Sequence, residues 1–309
     1  MTKLTIVFLF LIGFSVFAQE TEESETTEVV KSNIQEFTPS KLLSKGQWDI
    51  KFFNSLYTQT KQTAERSQAQ DIDRQNFFTN TTEIYTGVSN NSRINVGLIF
   101  QVRANNYGGQ DALSVFNFEN NLIDSRSGLT TIAPSIRVQP FASISNFSFT
   151  SSVYLPVFKD EPNATYLDKR SIFWETKFFY DKTFGGDNWQ IFTEVDFGFD
   201  FGQSKKEAEE NGDNVNTGER FANNSMVLPL SAFLSYFPSS KSTIFVNAQQ
   251  AFRIDLGNDF EQNYTQLGFG GKYQITDVLN LEASYGKIVR GVNFQGLGNT
   301  FSLGVRALF

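Results

Sequence analysis

The chain has 309 residues, with 26 lysines and arginines against 33 aspartates and glutamates, a formal net charge of −7, and neither histidine nor cysteine. The acidic balance excludes a nucleic-acid surface, which needs a basic stripe against phosphate. The missing histidine and cysteine exclude serine–histidine and cysteine–histidine catalysis, ordinary zinc and copper sites and any disulfide framework.

Carboxylate-only chemistry such as glycoside hydrolysis stays formally open, but no motif points to it. The chain is therefore read as a non-enzyme without cofactor or metal. Phenylalanine alone contributes 34 residues and aromatics 15%, an unusual load for a soluble domain. It is natural for a wall that shows lipid only at every second residue.

Residues 1–18, MTKLTIVFLFLIGFSVFA, combine an early lysine, an apolar run and small residues at Val16 and Ala18, and are read as a cleaved secretory signal. Residues 19–45 follow as a periplasmic segment. Its first part is an acidic tail rich in glutamate, and its end, TPSKLLSKG, offers Thr38 as N-cap, Pro39 at the first helical position and Gly46 as a stop. A short helical turn is expected there, leading into or leaning on what comes next. No later apolar stretch is long enough for a membrane-spanning helix, so any crossing is made by strands.

From Gly46 onward, segments alternate with period two. They begin with about 46–60 (Trp48, Ile50, Phe52, Leu56), 74–88 (Phe78, Ile84, Val88) and the segment opening at Ile94, with the polar run KQTAERSQAQDID between the first two. Next come about 129–141, weakened by Pro134 and Pro140, then 147–158 and 169–183.

The seventh, WQIFTEVDFGFDFG at 189–202, puts Trp189, Ile191, Val195, Phe197, Phe199 and Phe201 on one face and Glu194, Asp196 and Asp200 on the other. Taken alone it fits a soluble sandwich as well as a barrel in lipid. The later segments lie at about 225–236, 243–253, 263–275, 279–289 and 300–309.

The connections decide between the two. They alternate long and short along the whole chain, which is the pattern of a transmembrane barrel with long extracellular loops and short periplasmic turns. The expected fold is all-β, an antiparallel up-and-down transmembrane barrel over 46–309 with about 12 strands, within a range of 10 to 14. Trp48, Trp174, Trp189, Tyr85, Tyr180, Tyr236, Tyr273 and Tyr285 fall towards strand ends, where amphipathic rings form girdles at the headgroups.

Phe301, Leu303, Val305, Ala307 and Phe309 alternate up to a terminal phenylalanine. This run resembles the C-terminal signature read by the barrel insertion machinery, which implies that these five residues form an assembly signal. From leader to Phe309 the chain resembles a Gram-negative outer-membrane β-barrel. Within that class GLTTIAPSIRVQPF, at 128–141, is similar to the barrel transporters associated with the meta-pathway of phenol degradation. The resemblance implies outer-membrane lipid, the insertion machinery and other envelope proteins as partners, with the C-terminus periplasmic.

The inward faces supply Arg93, Arg103, Arg137, Glu175, Lys177, Asp181, Glu194, Asp196, Asp200, Arg253, Glu282 and Arg306. Both signs are present, so two readings stand: a lumen filled by ion pairs, or a conducting constriction. Phe53, Tyr57, Phe141, Tyr154, Phe158, Phe173, Phe179, Phe192 and Phe233 are also read as inward, more aromatics than a plain water channel needs. They fit a path for an apolar or amphipathic solute, or they simply fill volume.

Two functions follow from this. One is a passive channel or transporter for small solutes, apolar ones included. The other is a non-conducting barrel that serves as a structural or accessory subunit of a larger envelope complex. The oxygen-rich segments NGDNVNTGE and DLGNDFEQN lack the spacing of a calcium loop and are read as solvated surface.

Overall fold

The computed structural model describes residues 40–309 except 66–67, 122, 160–163, 203–223 and 258–260. The leader, the acidic tail, Thr38, Pro39 and NGDNVNTGE lie outside the described residues.

Twelve strands run in chain order: β1 Trp48–Thr63, β2 Ala69–Gly87, β3 Ile94–Asn106, β4 Ser125–Val138, β5 Phe147–Pro156, β6 Ile172–Phe184, β7 Trp189–Phe201, β8 Ser225–Ser239, β9 Ser242–Asp255, β10 Gln262–Gln274, β11 Leu279–Gly291 and β12 Asn299–Leu308. Each pairs antiparallel with its neighbours, and β12 closes on β1 to make a barrel. At the seam the Trp48 amide donates to the Phe309 carbonyl at 3.1 Å and the Phe309 amide returns to Trp48 at 2.9 Å. Closure leaves no strand edge, as a wall immersed in hydrocarbon requires.

β7 shows how the period-two pattern is spent. Trp189, Ile191, Phe197 and Phe201 are exposed, whereas Gln190, Phe192, Asp196 and Asp200 are buried. A soluble core would have the reverse arrangement. An outward apolar band facing lipid and a polar interior explain both sets at once.

Trp48, Trp189, Tyr236 and Tyr273 are exposed near the ends of their strands, with Trp189 and Tyr236 paired across β7 and β8 at 4.8 Å between ring centroids. Trp174 satisfies its indole N–H on the outer face through Ser151 Oγ at 3.0 Å. Tyr85 is a correction to the girdle expected from sequence. It is 1% exposed inside the barrel, because its position alternates with outward Ile84.

Three further expectations change. The run KQTAERSQAQDID is a strand hairpin for much of its length, with Lys61 opposite Asp71 and Gln62 opposite Gln70. Residues 68–71 of it are exposed, so that stretch has no buried face to mark by apolar alternation. Phe141 lies in the turn after β4, is exposed, and packs on Phe147 at 5.8 Å.

Residues 40–46 form no helix. Ser40 and Leu43 are buried, and the inward Asn95 side chain grips Leu43 twice, accepting from its amide at 3.0 Å and donating to its carbonyl at 3.1 Å. Two hydrogen bonds to an extended backbone replace those that a helical turn would have made within itself.

Proline does not end the strands that contain it. Pro134 keeps its place opposite Leu98 of β3, while the β4–β5 ladder lapses at 133–134 and resumes in the same register. Pro229 has the same effect on the β7–β8 ladder, which lapses at 196–197 opposite 228–229. Each ring removes one ladder donor, and the flanking pairs hold the register.

Candidate functional site

Inside the wall lies a cavity of about 680 Å³, in the size range of small-molecule sites. Its charged side chains fall into three groups set by their height on the strands.

At the short-turn end, Asp49 of β1 is completely buried and accepts Arg306 Nε at 2.7 Å, Arg306 Nη2 at 2.8 Å and Arg137 Nη1 at 3.0 Å. The other arm of Arg137 reaches Glu83 at 2.7 Å, and Lys51 meets Glu83 at 3.3 Å. The Arg137 guanidinium also lies 3.4 Å from the centre of the Tyr85 ring, a cation–π contact.

That ring lies flat on the wall because Gly97 is beneath it. A Cβ at Gly97 would come within 2.4 Å of Tyr85 Cδ1. Beyond it the Tyr85 hydroxyl lies 2.6 Å from Ser135 Oγ, which lies 2.6 Å from Ser152 Oγ. Phe53 lies over Gly304 in the same way.

At mid-height one cation serves three acids. Lys177 Nζ lies 3.6 Å from Glu175, 3.4 Å from Glu194 and 3.5 Å from Asp196. Tyr154 donates to Glu175 at 3.2 Å. Asp196 is 3% exposed, and its Oδ1 is buried without a hydrogen-bond partner among the described residues.

At the long-loop end residues 164–171 turn inward, held by Asn105 Nδ2, which donates to the carbonyls of Tyr166 at 2.8 Å and Leu167 at 2.9 Å. This brings Asp168 to Arg103 at 2.9 Å and Lys169 to Asp200 at 3.2 Å. Asp200 also accepts from Ser171 and Ser225. Shielding from water, with repulsion from Arg253, holds the Lys169 amine down at about 8 against the attraction of Asp200.

One sector of the wall is aromatic. Phe179 of β6, Phe192 of β7, Phe233 of β8 and Phe245 of β9 form an unbroken arc with centroids 5.9, 5.6 and 5.8 Å apart. Lys272 of β10 caps it, 6.0 Å from the Phe245 ring and 3.1 Å from Glu282.

Of the residues singled out in the sequence, Arg103, Arg137, Glu175, Lys177, Glu194, Asp200, Glu282 and Arg306 border the cavity. Asp181 is buried beneath the segment before β1, accepting from Ser40 Oγ and from Gln190 Nε2 at 3.1 Å. Asp196 lies behind Lys177, and Arg253 is half-buried on β9 towards the long-loop end.

Arg93 belongs to the rim rather than the cavity. It precedes β3, and its Nε donates to the Gln139 carbonyl of the neighbouring turn at 2.9 Å. Asp49, Lys51 and Glu83 were missed, although their alternation with Trp48, Ile50, Phe52 and Ile84 marks them as inward. Asp168 and Lys169 carried no such signal, because they lie outside the strands. Phe301 and Leu303 are exposed on the outer face of β12, and Phe309 is exposed at the seam.

No family model matches the sequence, and no curated protein matches it. The structure is similar to a COG4313 outer membrane channel from Pseudomonas putida F1, with a TM-score of 0.63 and 12% identity over 93% of this chain and 100% of that one. It is also similar to the β domain of the Bordetella autotransporter Brka, with a TM-score of 0.54 and 11% identity over 84% of this chain and 99% of that one. The fold is that of an outer-membrane β-barrel. In this barrel the lumen presents two unlike surfaces, an aromatic arc on β6–β9 and a ladder of ion pairs on β12, β1, β2 and β4.

Proposed function

We propose that the protein is an outer-membrane channel that passes small amphipathic or apolar solutes. The observation that carries this reading is the lumen itself, a cavity of about 680 Å³ with four contiguous phenylalanines on one side and charged ladders on the other. Stacked rings give an apolar body a continuous surface to slide along, and the ladders hold water and the polar end of the solute. The COG4313 protein of similar fold is an outer membrane channel, which agrees with this reading. On the same reading the leader delivers the chain to the periplasm, the short turns and the C-terminus face the periplasm, and the long loops face outward.

The test is uptake into proteoliposomes. The protein should admit small aromatic or amphipathic solutes faster than sugars of equal size, and Phe192→Ala/Phe233→Ala should narrow that difference. A folded barrel that gives neither solute flux nor conductance sinks the proposal.

The saturated ion pairs around Asp49 and the buried Ser40 and Leu43 favour a second reading, a closed barrel that acts as a subunit of an envelope complex. Recovery of the folded barrel alone, under extraction that preserves other envelope complexes, counts against it. For the terminal run, Phe309→Ala should slow assembly by the insertion machinery more than Leu308→Ala does, read as the fraction of heat-modifiable, protease-protected barrel.

A further inference from the structure

The segment joining β3 to β4 does not stand clear of the barrel. It lies down the outside of β1–β3, and a 3-10 turn at Ala112–Asn117 packs on two successive outward rows of the wall. In the first row Leu56, Phe78 and Ala104 stand opposite one another in register. They share the outward parity of Phe52, Ile84 and Leu98, yet with Val115 they form a buried apolar cluster.

The second row is polar: Thr58, Asn76 and Asn106. Bare, these three would present amide and hydroxyl groups at the membrane boundary. The segment satisfies the two asparagines instead, while Thr58 is bonded within the wall, to Asn76 and by Arg74 Nη1 at 3.0 Å. Thr58 Oγ1 donates to Asn76 Oδ1 at 2.7 Å, and Asn76 Nδ2 donates to Asn106 Oδ1 at 2.7 Å and to the Gln110 carbonyl at 3.1 Å. Asn106 Nδ2 donates to Ser114 Oγ at 2.9 Å. All three wall residues are at most 6% exposed. The hydrogen bonds therefore fix which side of the segment faces away from the wall.

That side is apolar. Leu113 is 68% exposed, and Phe116 and Phe118 are also exposed, with their rings 5.0 and 6.2 Å from Phe78. The apolar surface thus runs without a break from the lipid-facing wall through Phe78 onto the segment. A soluble loop has no reason to turn three large apolar side chains outward.

We propose that residues 107–121 form a lipid-contacting collar that inserts Leu113, Phe116 and Phe118 into the boundary between headgroups and acyl chains at the long-loop end. It raises the apolar band over β1–β3 and hides the polar row beneath. Continuity with the lipid-facing band argues for lipid as the occupant. A second copy is disfavoured because exposed Asp111 and Glu119 flank the patch, and a two-fold contact would bring like charges together.

The chain has no native cysteine, so Leu113→Cys gives a single site for a nitroxide label in the full-length protein folded into phosphatidylcholine vesicles. A label at Ser240→Cys, in the exposed β8–β9 turn, reports the aqueous reference. Collisions with dissolved oxygen should exceed those with a water-soluble nickel chelate several-fold at Leu113 and fall below them at Ser240. Phe118→Cys provides the same reading if Leu113→Cys does not fold.

A nickel-accessible label at 113 or 118 in vesicles overturns the collar. So does a label shielded from both reagents, which would mean protein cover. Dipolar broadening that vanishes on dilution with unlabelled protein would identify a second copy as the occupant and overturn it too.

Discussion

The Asp49 group and the Lys177 group are built from the same residue types, project from the same kind of strand and face the same lumen, yet they are opposites. Around Asp49 two arginines supply three hydrogen bonds to one carboxylate that has no contact with solvent. Around Lys177 a single ammonium is shared among three carboxylates at 3.4 to 3.6 Å, and one oxygen of Asp196 has no partner. The first is a structural clamp that ties β1, β4 and β12 together. The second is an under-neutralised patch, in which one ammonium is short of the charge needed to pair three acids and Asp196 is buried behind it. Lumen charge is therefore divided between a group that holds the wall and a group left short of partners, and on the proposed channel reading it is the second that would tune what passes.

Breaking the clamp should give the largest effect. Asp49→Ala leaves Arg137 and Arg306 without their shared acceptor and should destabilise the barrel by about 3 to 5 kcal/mol, the usual result of removing one partner of a buried pair. Denaturant unfolding of the vesicle-folded protein measures it. A loss below about 1 kcal/mol would place this group with Lys177 as a hydrated patch and erase the contrast.

The next effect tests the wall beside the patch. Phe197 follows Asp196 on β7 but points outward. Phe197→Arg should cost roughly 2 to 4 kcal/mol if it lies near the bilayer midplane, read as the free energy of folding into vesicles. Unimpaired folding would show that this face does not meet lipid.

Asp196→Asn should be mild by comparison, within about 1 kcal/mol of the parent, since a surplus acid is removed and not a needed partner. The change in conduction belongs to Glu194→Gln, because Glu194 borders the cavity: reversal potentials across a salt gradient should move away from cation preference. Should Asp196→Asn instead unfold the barrel as severely as Asp49→Ala, both groups are clamps.

The smallest effect is expected at the long-loop end. Lys169 is protonated below about pH 8 and neutral above it, so selectivity should drift towards cations as pH rises from 7 to 9. Lys169→Arg should remove the drift. The sign for stability follows from the same amine. Between about 8 and its ordinary 10.5 the unfolded chain holds a proton that the folded chain has released, so this residue makes stability rise with pH across that window. A selectivity that is flat with pH in the parent would mean that Lys169 is away from the ion path.

Which face of β7 meets lipid and roughly where the twelve strands lie were legible in the sequence, because a barrel wall imposes period two on every crossing and both of its solvents leave a compositional trace; the β1–β2 connection was not, since its polar run is mostly strand. Inward parity likewise placed Arg137, Glu175, Lys177, Glu194 and Arg306. Other features were not legible because their cause is not local. Tyr85 looked like a girdle residue until Gly97 on the adjacent strand gave its ring room to lie flat beneath Arg137. Thr58, Asn76 and Asn106 interrupt an outward apolar pattern, and only the β3–β4 segment that covers them accounts for it.

Alternation along the strands, together with the order of long and short connections, determined the barrel, its inside and its outside. Only the tertiary structure decided which charge meets which, since the shear of the sheet brings residues from β1, β4 and β12 to one height. It also decided that residues 164–171 fold into the lumen while 107–121 fold onto the wall. Loop backbones have no period to read, and each goes where the strands offer partners for its carbonyls and amides, as Asn105 does on the inside and Asn76 on the outside.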